Sequence, residues 1–170
     1  MPSLVADTSG LVSLGILAKC DQDPFQLCLD AYEVTIPETV VEELETIAAH
    51  DDVHGAGARV ALDQNERMQM ESAALDPSFP LDDGENAAVV VANELKASLV
   101  LCDEFNQLGL IHASLTDTRL VTTPILLSIF AHNDLLSDSE AVAVLDHLIE
   151  ARGWEGNSYI ERARTRLGSE

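Results

Sequence analysis

Apolar and polar positions along the chain fall into two alternating rhythms. Short apolar runs of about four residues are followed by longer stretches in which apolar residues recur three and four positions apart. The first kind predicts core strands and the second predicts helices. Ser3 to Ala6 is a short apolar run that stops at Asp7, so it predicts a strand ending in a carboxylate. Thr8 or Ser9 can then cap an amphipathic helix carrying Leu11, Leu14, Ile16 and Leu17. Pro24 to Ala31 predicts a short helix and Glu33 to Ile36 a second strand. Pro37 opens a helix with Glu38 in its first turn and Val40, Val41, Leu44 and Ile47 as its apolar stripe. Asp51 to Gly57 is polar and glycine-containing, which predicts a loop. A helix from Ala58 to about Asn65 and a weak strand over Met68 to Glu71 follow.

The stretch from Leu81 to Glu104, LDDGENAAVVVANELKASLVLCDE, organises the rest. Its acidic turn precedes an Ala/Val-rich helix from Asn86 to Leu95, and Ser98 to Cys102 is a short apolar strand that ends at Asp103 and Glu104. Phe105 to His112 predicts a helix, Arg119 to Thr122 a last strand, and Ile125 to Ala131 an apolar helix after Pro124. From Ser137 on the pattern is helical only. Ala141, Val144, Leu145, Leu148 and Ile149 share one face, Gly153 ends that helix, and Ser158 to Leu167 forms another. Strand and helix alternate because parallel strands need crossovers, so the expected fold class is α/β, a parallel sheet with helices on both faces. Residues 1–170 are expected to form a single domain, with 137–170 as a C-terminal helical extension of it. The apolar faces of Ile125 to Ala131 and Ala141 to Ile149 together suggest more surface than a small sheet covers, and hence a homodimer.

Composition changes this picture mainly through charge. Thirty acids face nine bases among 170 residues, for a net charge of −21, while hydrophobic residues make up 46%. Such a chain is too apolar for disorder, so the acids must coat a folded domain, and their mutual repulsion is screened best at high salt. A halophilic source is the expectation. Cys20, Cys28 and Cys102 are odd in number and lack paired spacing, which predicts small buried hydrophobes in a reducing cytoplasm rather than disulfides or zinc. No segment has the length and apolarity of a membrane span, and no export signal is visible at the N-terminus.

Four acids fall where a parallel sheet presents ligands: Asp7 after the first strand, Glu43 on the next long helix, Glu85 at the mouth of the central helix, and Asp103 after the following strand. Each has a plain alternative. Asp82 and Glu85 have capping-box spacing, Asp7 suits a strand-end turn, and Glu43 can sit on a solvated helix face. Converging carboxylates raise one another's pKa unless a cation neutralises them, and oxygen-only ligands select a hard ion such as Mg²⁺ or Mn²⁺. Such an ion acidifies bound water and neutralises charge on a phosphate, the logic of phosphodiester hydrolysis. His50 and His54 lack a third ligand and are read as surface residues.

These segments resemble the PIN-domain family, with its acids matched in VADTSG (Asp7), IPETVVEEL (Glu43), LDDGENAAVVVA (Glu85) and LVLCDE (Asp103). The resemblance covers about Leu4 to Leu127, and LLSDSEAVAVLDHLIEARGW resembles the closing helices of the VapC-like toxins. It implies a Rossmann-like sheet of about five strands and a Mg²⁺- or Mn²⁺-dependent endoribonuclease acting on single-stranded RNA. The four acids are then both metal ligands and catalytic residues. It also implies secondary roles for Ser9 and Glu104, and a toxin with a cognate antitoxin. The following segment, FNQLGL, departs from the family in lacking an arginine. Arg152, Arg162, Arg164 and Arg166 concentrate positive charge in the tail, where they can guide RNA or simply pair with acids such as Glu155 and Glu161. A phosphorelay receiver lacks its second acid and its lysine here, and a haloacid dehalogenase-type phosphatase lacks an acid at Ser9. The remaining alternative is a catalytically inactive PIN-fold module that binds nucleic acid or protein.

Overall fold

The structure, a computed structural model, describes residues 1–168, so the last two positions of the 137–170 extension lie outside the described residues. Five parallel strands form one sheet: β1 (Ser3–Ala6), β2 (Glu33–Pro37), β3 (Gln69–Glu71), β4 (Leu99–Leu101) and β5 (Arg119–Val121), in the order β3-β2-β1-β4-β5. In register, Val5 lies opposite Thr35 on one side and Val100 on the other. The chain leaves β1 toward one edge and later returns to β4 on the other side. The switch point of the sheet therefore lies between β1 and β4, where a crevice opens beyond the strand ends.

Strand alternation divides the core. Leu4, Ala6, Val34, Ile36, Leu99, Leu101 and Val121 join the larger cluster, while Val5 and Val100 face a smaller one with Ala88, Val89, Val91, Ala92 and Ile111. Helices α5 (Asp83–Leu95) and α6 (Leu108–Ser114) cover the smaller side. The larger side holds α1 (Thr8–Leu17), α2 (Pro24–Ala31), α3 (Glu38–Ala48), α4 (Val53–Asp63), α7 (Thr123–His132) and α8 (Asp138–Arg152), and α9 (Ser158–Gly168) packs on α7 and α8.

Three local expectations change. The expected loop at 51–57 is mostly helix: the Asp52 side chain accepts from Gly55 N–H at 2.8 Å and starts α4. The glycines there serve close packing. A Cβ on Gly15 of α1 would lie 2.0 Å from the carbonyl oxygen of Gly57 of α4, so only paired glycines permit this crossing. Helix α1, expected to be amphipathic, is buried on every side because α4 and α8 cover its outer face, and its N-cap is Asp7 rather than Thr8 or Ser9. Helix α6 begins at Leu108 rather than Phe105. Of the apolar faces that suggested a homodimer, Leu126, Leu127, Phe130, Ala141, Val144, Leu145 and Leu148 are buried by the packing of α7, α8 and α1 on one another, while Ile125, Ile129 and Ile149 stay partly exposed.

Candidate active site

Backbone geometry delivers two of the acids. Asp7 N–H donates to Leu101 carbonyl at 2.9 Å, carrying the β1–β4 ladder one residue past the end of β1. Cys102 N–H does the same with Val121 at 3.0 Å. Asp7 and Asp103 therefore leave adjacent central strands at the switch point, and they are only 3% and 4% exposed. Ser9, in the first turn of α1, joins them: its hydroxyl donates to Asp7 Oδ2 at 3.1 Å and accepts from Asp103 N–H at 2.9 Å. Cys102 Sγ donates to the same Asp7 oxygen at 3.3 Å. Burial pushes that thiol's pKa well up, so it remains a donor. Asp103 is held from the start of α7, where Thr123 N–H donates to Oδ1 at 2.7 Å and Thr123 Oγ1 to Oδ2 at 2.6 Å.

The other two acids come from helices. Glu43, near the middle of α3, accepts a short hydrogen bond from the Thr8 hydroxyl. It approaches the first turn of α5 so closely that a Cβ on Gly84 would lie 2.1 Å from Glu43 Oε1. A side chain at 84 would therefore push the Glu43 carboxylate from its place. Glu85 follows in the same turn, is 4% exposed, and its Oε2 has no hydrogen-bond partner. A bare buried carboxylate oxygen is costly unless a proton or a cation meets it.

All four carboxyls are pushed above their ordinary pKa, with loss of solvation as the leading cause in each. Asp7 rises to about 7, since hydrogen bonds from Thr8 N–H, Cys102 and Ser9 offset its burial only in part. Glu85 is raised by burial and then by the charges of Asp82 and Asp7. Glu43 is raised by burial and by Asp82 and Asp83, against donation from Thr8 and Gly84. Asp103 is raised by burial, while Ser13, Thr123 and the Arg152 charge work to lower it. Glu104 moves up for the same leading reason. A cleft of about 570 Å³ opens onto this edge, walled by Asp7, Ser9, Glu43, Asp82, Glu104 and Arg152 among others.

The expected residues thus reach one end of the sheet: Asp7, Glu43, Ser9 and Glu104 on the cleft wall, Glu85 and Asp103 buried at the same edge. Among the described residues, no three His, Cys, Asp or Glu side chains close into a ready metal cage. Thr8 and Thr123 hold Glu43 and Asp103 where they stand, and mutual repulsion opposes closer approach. The donor set still fits a hard divalent cation. Its ligands are oxygens alone, and the bare Glu85 Oε2 is a buried lone-pair site that a cation could meet.

The four arginines separate. Arg152 lines the cleft and donates to Ser9 carbonyl at 3.2 Å and Ser13 Oγ at 3.1 Å. Arg164 forms an exposed pair with Asp146, rather than with Glu155 or Glu161, and its NH2 lies 2.9 Å from Oδ2. Arg162 and Arg166 lie along another surface with Ser158, Glu161 and Thr165. Several members of the site are not apparent from the sequence. Asp82 caps α5 and is also a further acid of the site, whose charge acts on Asp7, Glu43, Glu85 and Glu104. Cys102 is a donor to Asp7 as well as a core residue, and His50 and His54 line the same cleft. Two acids in a row before a glycine was the available signal for Asp82. The others depend on distant chain segments meeting.

A family model described as DUF3368, PIN domain, matches residues 3–169. Among solved structures, a PilT N-terminus domain protein from the hyperthermophilic archaeon Sulfolobus solfataricus P2 aligns with a TM-score of 0.51 at 18% identity, covering 74% of this chain and 91% of that one. That likeness shows the fold. A search of curated proteins found no match.

Proposed function

This chain belongs to the PIN-domain family, a nuclease-type fold, and from that premise we propose that it is a Mg²⁺- or Mn²⁺-dependent endoribonuclease that hydrolyses phosphodiester bonds in single-stranded RNA. One observation carries the reading. Asp7 and Asp103 leave the two strands flanking the switch point, joined through Ser9, and Glu85 at the same edge keeps a bare buried oxygen. Asp7, Glu43, Glu85 and Asp103 would hold the ion, which when bound supplies positive charge opposite the phosphate and acidifies water. Ser9 keeps Asp7 and Asp103 in register, and Thr123 fixes the Asp103 carboxylate. Arg152 supplies a permanent cation on the cleft wall, where the phosphate of a strand would pass.

The rival reading is a PIN fold that binds nucleic acid or protein without cutting. It is favoured by one feature, that both oxygens of Asp103 are already bonded to Thr123. Finer features rest on resemblance and charge. They are a toxin with a cognate antitoxin as partner, a cytoplasmic site of action, and a halophilic setting in which a charge of −21 is screened. No helix among the described residues is long and apolar enough to cross a membrane.

The deciding experiment is cleavage of mixed single-stranded RNA by wild type and Asp103→Asn, with Mn²⁺, Mg²⁺ or EDTA, from dilute buffer to molar KCl. Wild type should cut with either metal, lose activity in EDTA and keep it at high salt, while the variant loses it throughout. Induced wild type, but not the variant, should arrest growth. Equal cleavage by the variant would indicate a contaminating nuclease. No cleavage by metal-loaded wild type would establish the non-cutting module instead.

A further inference from the structure

The aromatic side chains are few and unevenly used. Phe25, Tyr32 and Phe130 are buried in the larger core and Phe79 packs against the smaller one. Phe105, Trp154 and Tyr159 gather next to Arg152 of the cleft wall, each partly buried, with Trp154 also packed against the larger core. The Phe105 ring stacks on Tyr159, centroids 4.9 Å apart and planes inclined by 23°, and meets Trp154 at 4.8 Å and 67°. Arg152 lies over the Trp154 ring, 5.0 Å from its centroid, and also forms part of the cleft wall.

This ledge is fastened to the candidate site from two directions. Phe105 lies two residues after Asp103. The Tyr159 hydroxyl is 2.8 Å from Thr122 Oγ1, one residue before the threonine that holds both Asp103 oxygens. Arg152 spends only one nitrogen, NH1, on Ser9 and Ser13. Its other N–H groups make no hydrogen bond within the described residues and remain for a ligand. Anchoring α9 does not by itself require partly exposed rings, because buried Ile160 and Leu167 already dock that helix.

We propose that the Phe105–Trp154–Tyr159 ledge stacks an unpaired nucleobase of a strand lying in the cleft, with Arg152 holding the phosphate next to it. The proposal rests on the nuclease reading and deepens it. It explains how a chain of net charge −21 holds RNA, since counterion release needs many cations and this chain has nine, of which Arg67 and Arg164 are paired with Asp30 and Asp146. Stacking on aromatic faces is sequence-tolerant and does not rely on charge. It also selects single strands, because a base inside a duplex has both faces covered.

Trp154 is the only tryptophan, so its emission reports on the ledge directly. The experiment titrates the full chain in molar KCl, with EDTA present so that neither strand is cut, with a hexa-adenylate and with an abasic phosphodiester of equal length, both end-labelled for anisotropy. The base-bearing strand should quench Trp154 and bind about tenfold or more tightly than the abasic one. Trp154→Ala should erase that preference and Trp154→Phe should restore most of it, which separates loss of a stacking face from loss of packing. Equal binding of the two strands with unchanged emission would overturn the ledge, and continued cleavage by wild type would then leave the nuclease reading standing. Quenching and base preference in a protein that cuts no RNA would keep the ledge and remove the nuclease. Absence of both binding and cleavage would remove both.

Discussion

Two helices of this protein start with the same sequence device and use it in opposite ways. At the mouth of α8, Ser137 and Glu140 close a reciprocal capping box: Ser137 Oγ accepts from Glu140 N–H at 3.1 Å, and Glu140 Oε1 accepts from Ser137 N–H at 2.8 Å. The Ser137 N–H, then the Gln22 amide and the Ser137 hydroxyl, hold the Glu140 carboxyl below its ordinary pKa. At the mouth of α5, Asp82 accepts from Glu85 N–H at 2.9 Å, but Glu85 does not reach back. Its carboxyl is buried beside Asp82, Asp7 and Glu104, keeps one bare oxygen, and is pushed up by burial and by those acidic neighbours. The α8 mouth spends its glutamate on helix stability. The α5 mouth withholds its glutamate, at a cost to the empty fold, and this is the pattern expected where a site is built for a ligand rather than for stability.

The largest separation between the two mouths should come from metal. An ion that binds only the native state at about 100 times its Kd adds about 2.7 kcal/mol, or roughly 5–10 °C in Tm for a chain of this size. Thermal unfolding with and without Mn²⁺ should show that gain in wild type and in Glu140→Gln, and not in Glu85→Gln. A full shift retained by Glu85→Gln would place the metal elsewhere and cancel the contrast.

A smaller effect, roughly a few degrees, should appear with pH in metal-free protein held at molar KCl to screen the surface charge. The sign follows from the direction of each shift. Asp7 and Glu85 have raised folded pKa values, so their native forms bind protons more tightly than the unfolded chain does. That contribution is fully present below about pH 4 and is lost as pH rises through about 7 for Asp7. Glu140 is lowered, so its contribution is present above its ordinary pKa and lost only on acidification. Wild-type Tm should therefore fall between pH 5 and pH 8, Glu85→Gln should fall less, and Glu140→Gln should track wild type over that range. A Glu85→Gln profile as steep as wild type would show that Glu85 ionises without penalty.

The same contrast shows what the sequence could disclose. Element order was legible because periods of two and of three to four are backbone properties, and Asp7 and Asp103 were legible because each directly follows a short apolar run. Whether a D-x-x-E or S-x-x-E glutamate turns back to its cap or inward depends on what lies opposite. For Glu85 that includes Asp7, about eighty positions earlier in the chain. The start of α4 is hidden in the sequence because Gly55 and Gly57 look like loop residues until α1 is brought against Gly57. The absence of any charge from Thr8 to Leu17 was the signal that α1 is buried all round. Phe105 has the pattern of a helix residue, yet its ring is committed to Trp154 and Tyr159 from the tail, and Arg152 reaches Ser9 across 143 positions. Local pattern carries no information about such meetings.

The smallest expected effect tests whether repulsion at the α5 mouth is felt by the fold at all. Ser137→Ala removes an N-cap acceptor and should cost about 1 kcal/mol, roughly 2–4 °C. Asp82→Asn keeps a good N-cap acceptor for Glu85 N–H while removing the charge that raises Asp7, Glu43, Glu85 and Glu104. In metal-free protein at pH 8 that substitution should therefore leave Tm unchanged or raise it, opposite in sign to the change at α8. Adding Mn²⁺ should narrow the difference, because the ion neutralises the same charges that the asparagine removes. If Asp82→Asn lowers Tm as much as Ser137→Ala does, then Asp82 acts as an ordinary cap, and the raised carboxyls around it exert no measurable strain on the empty fold.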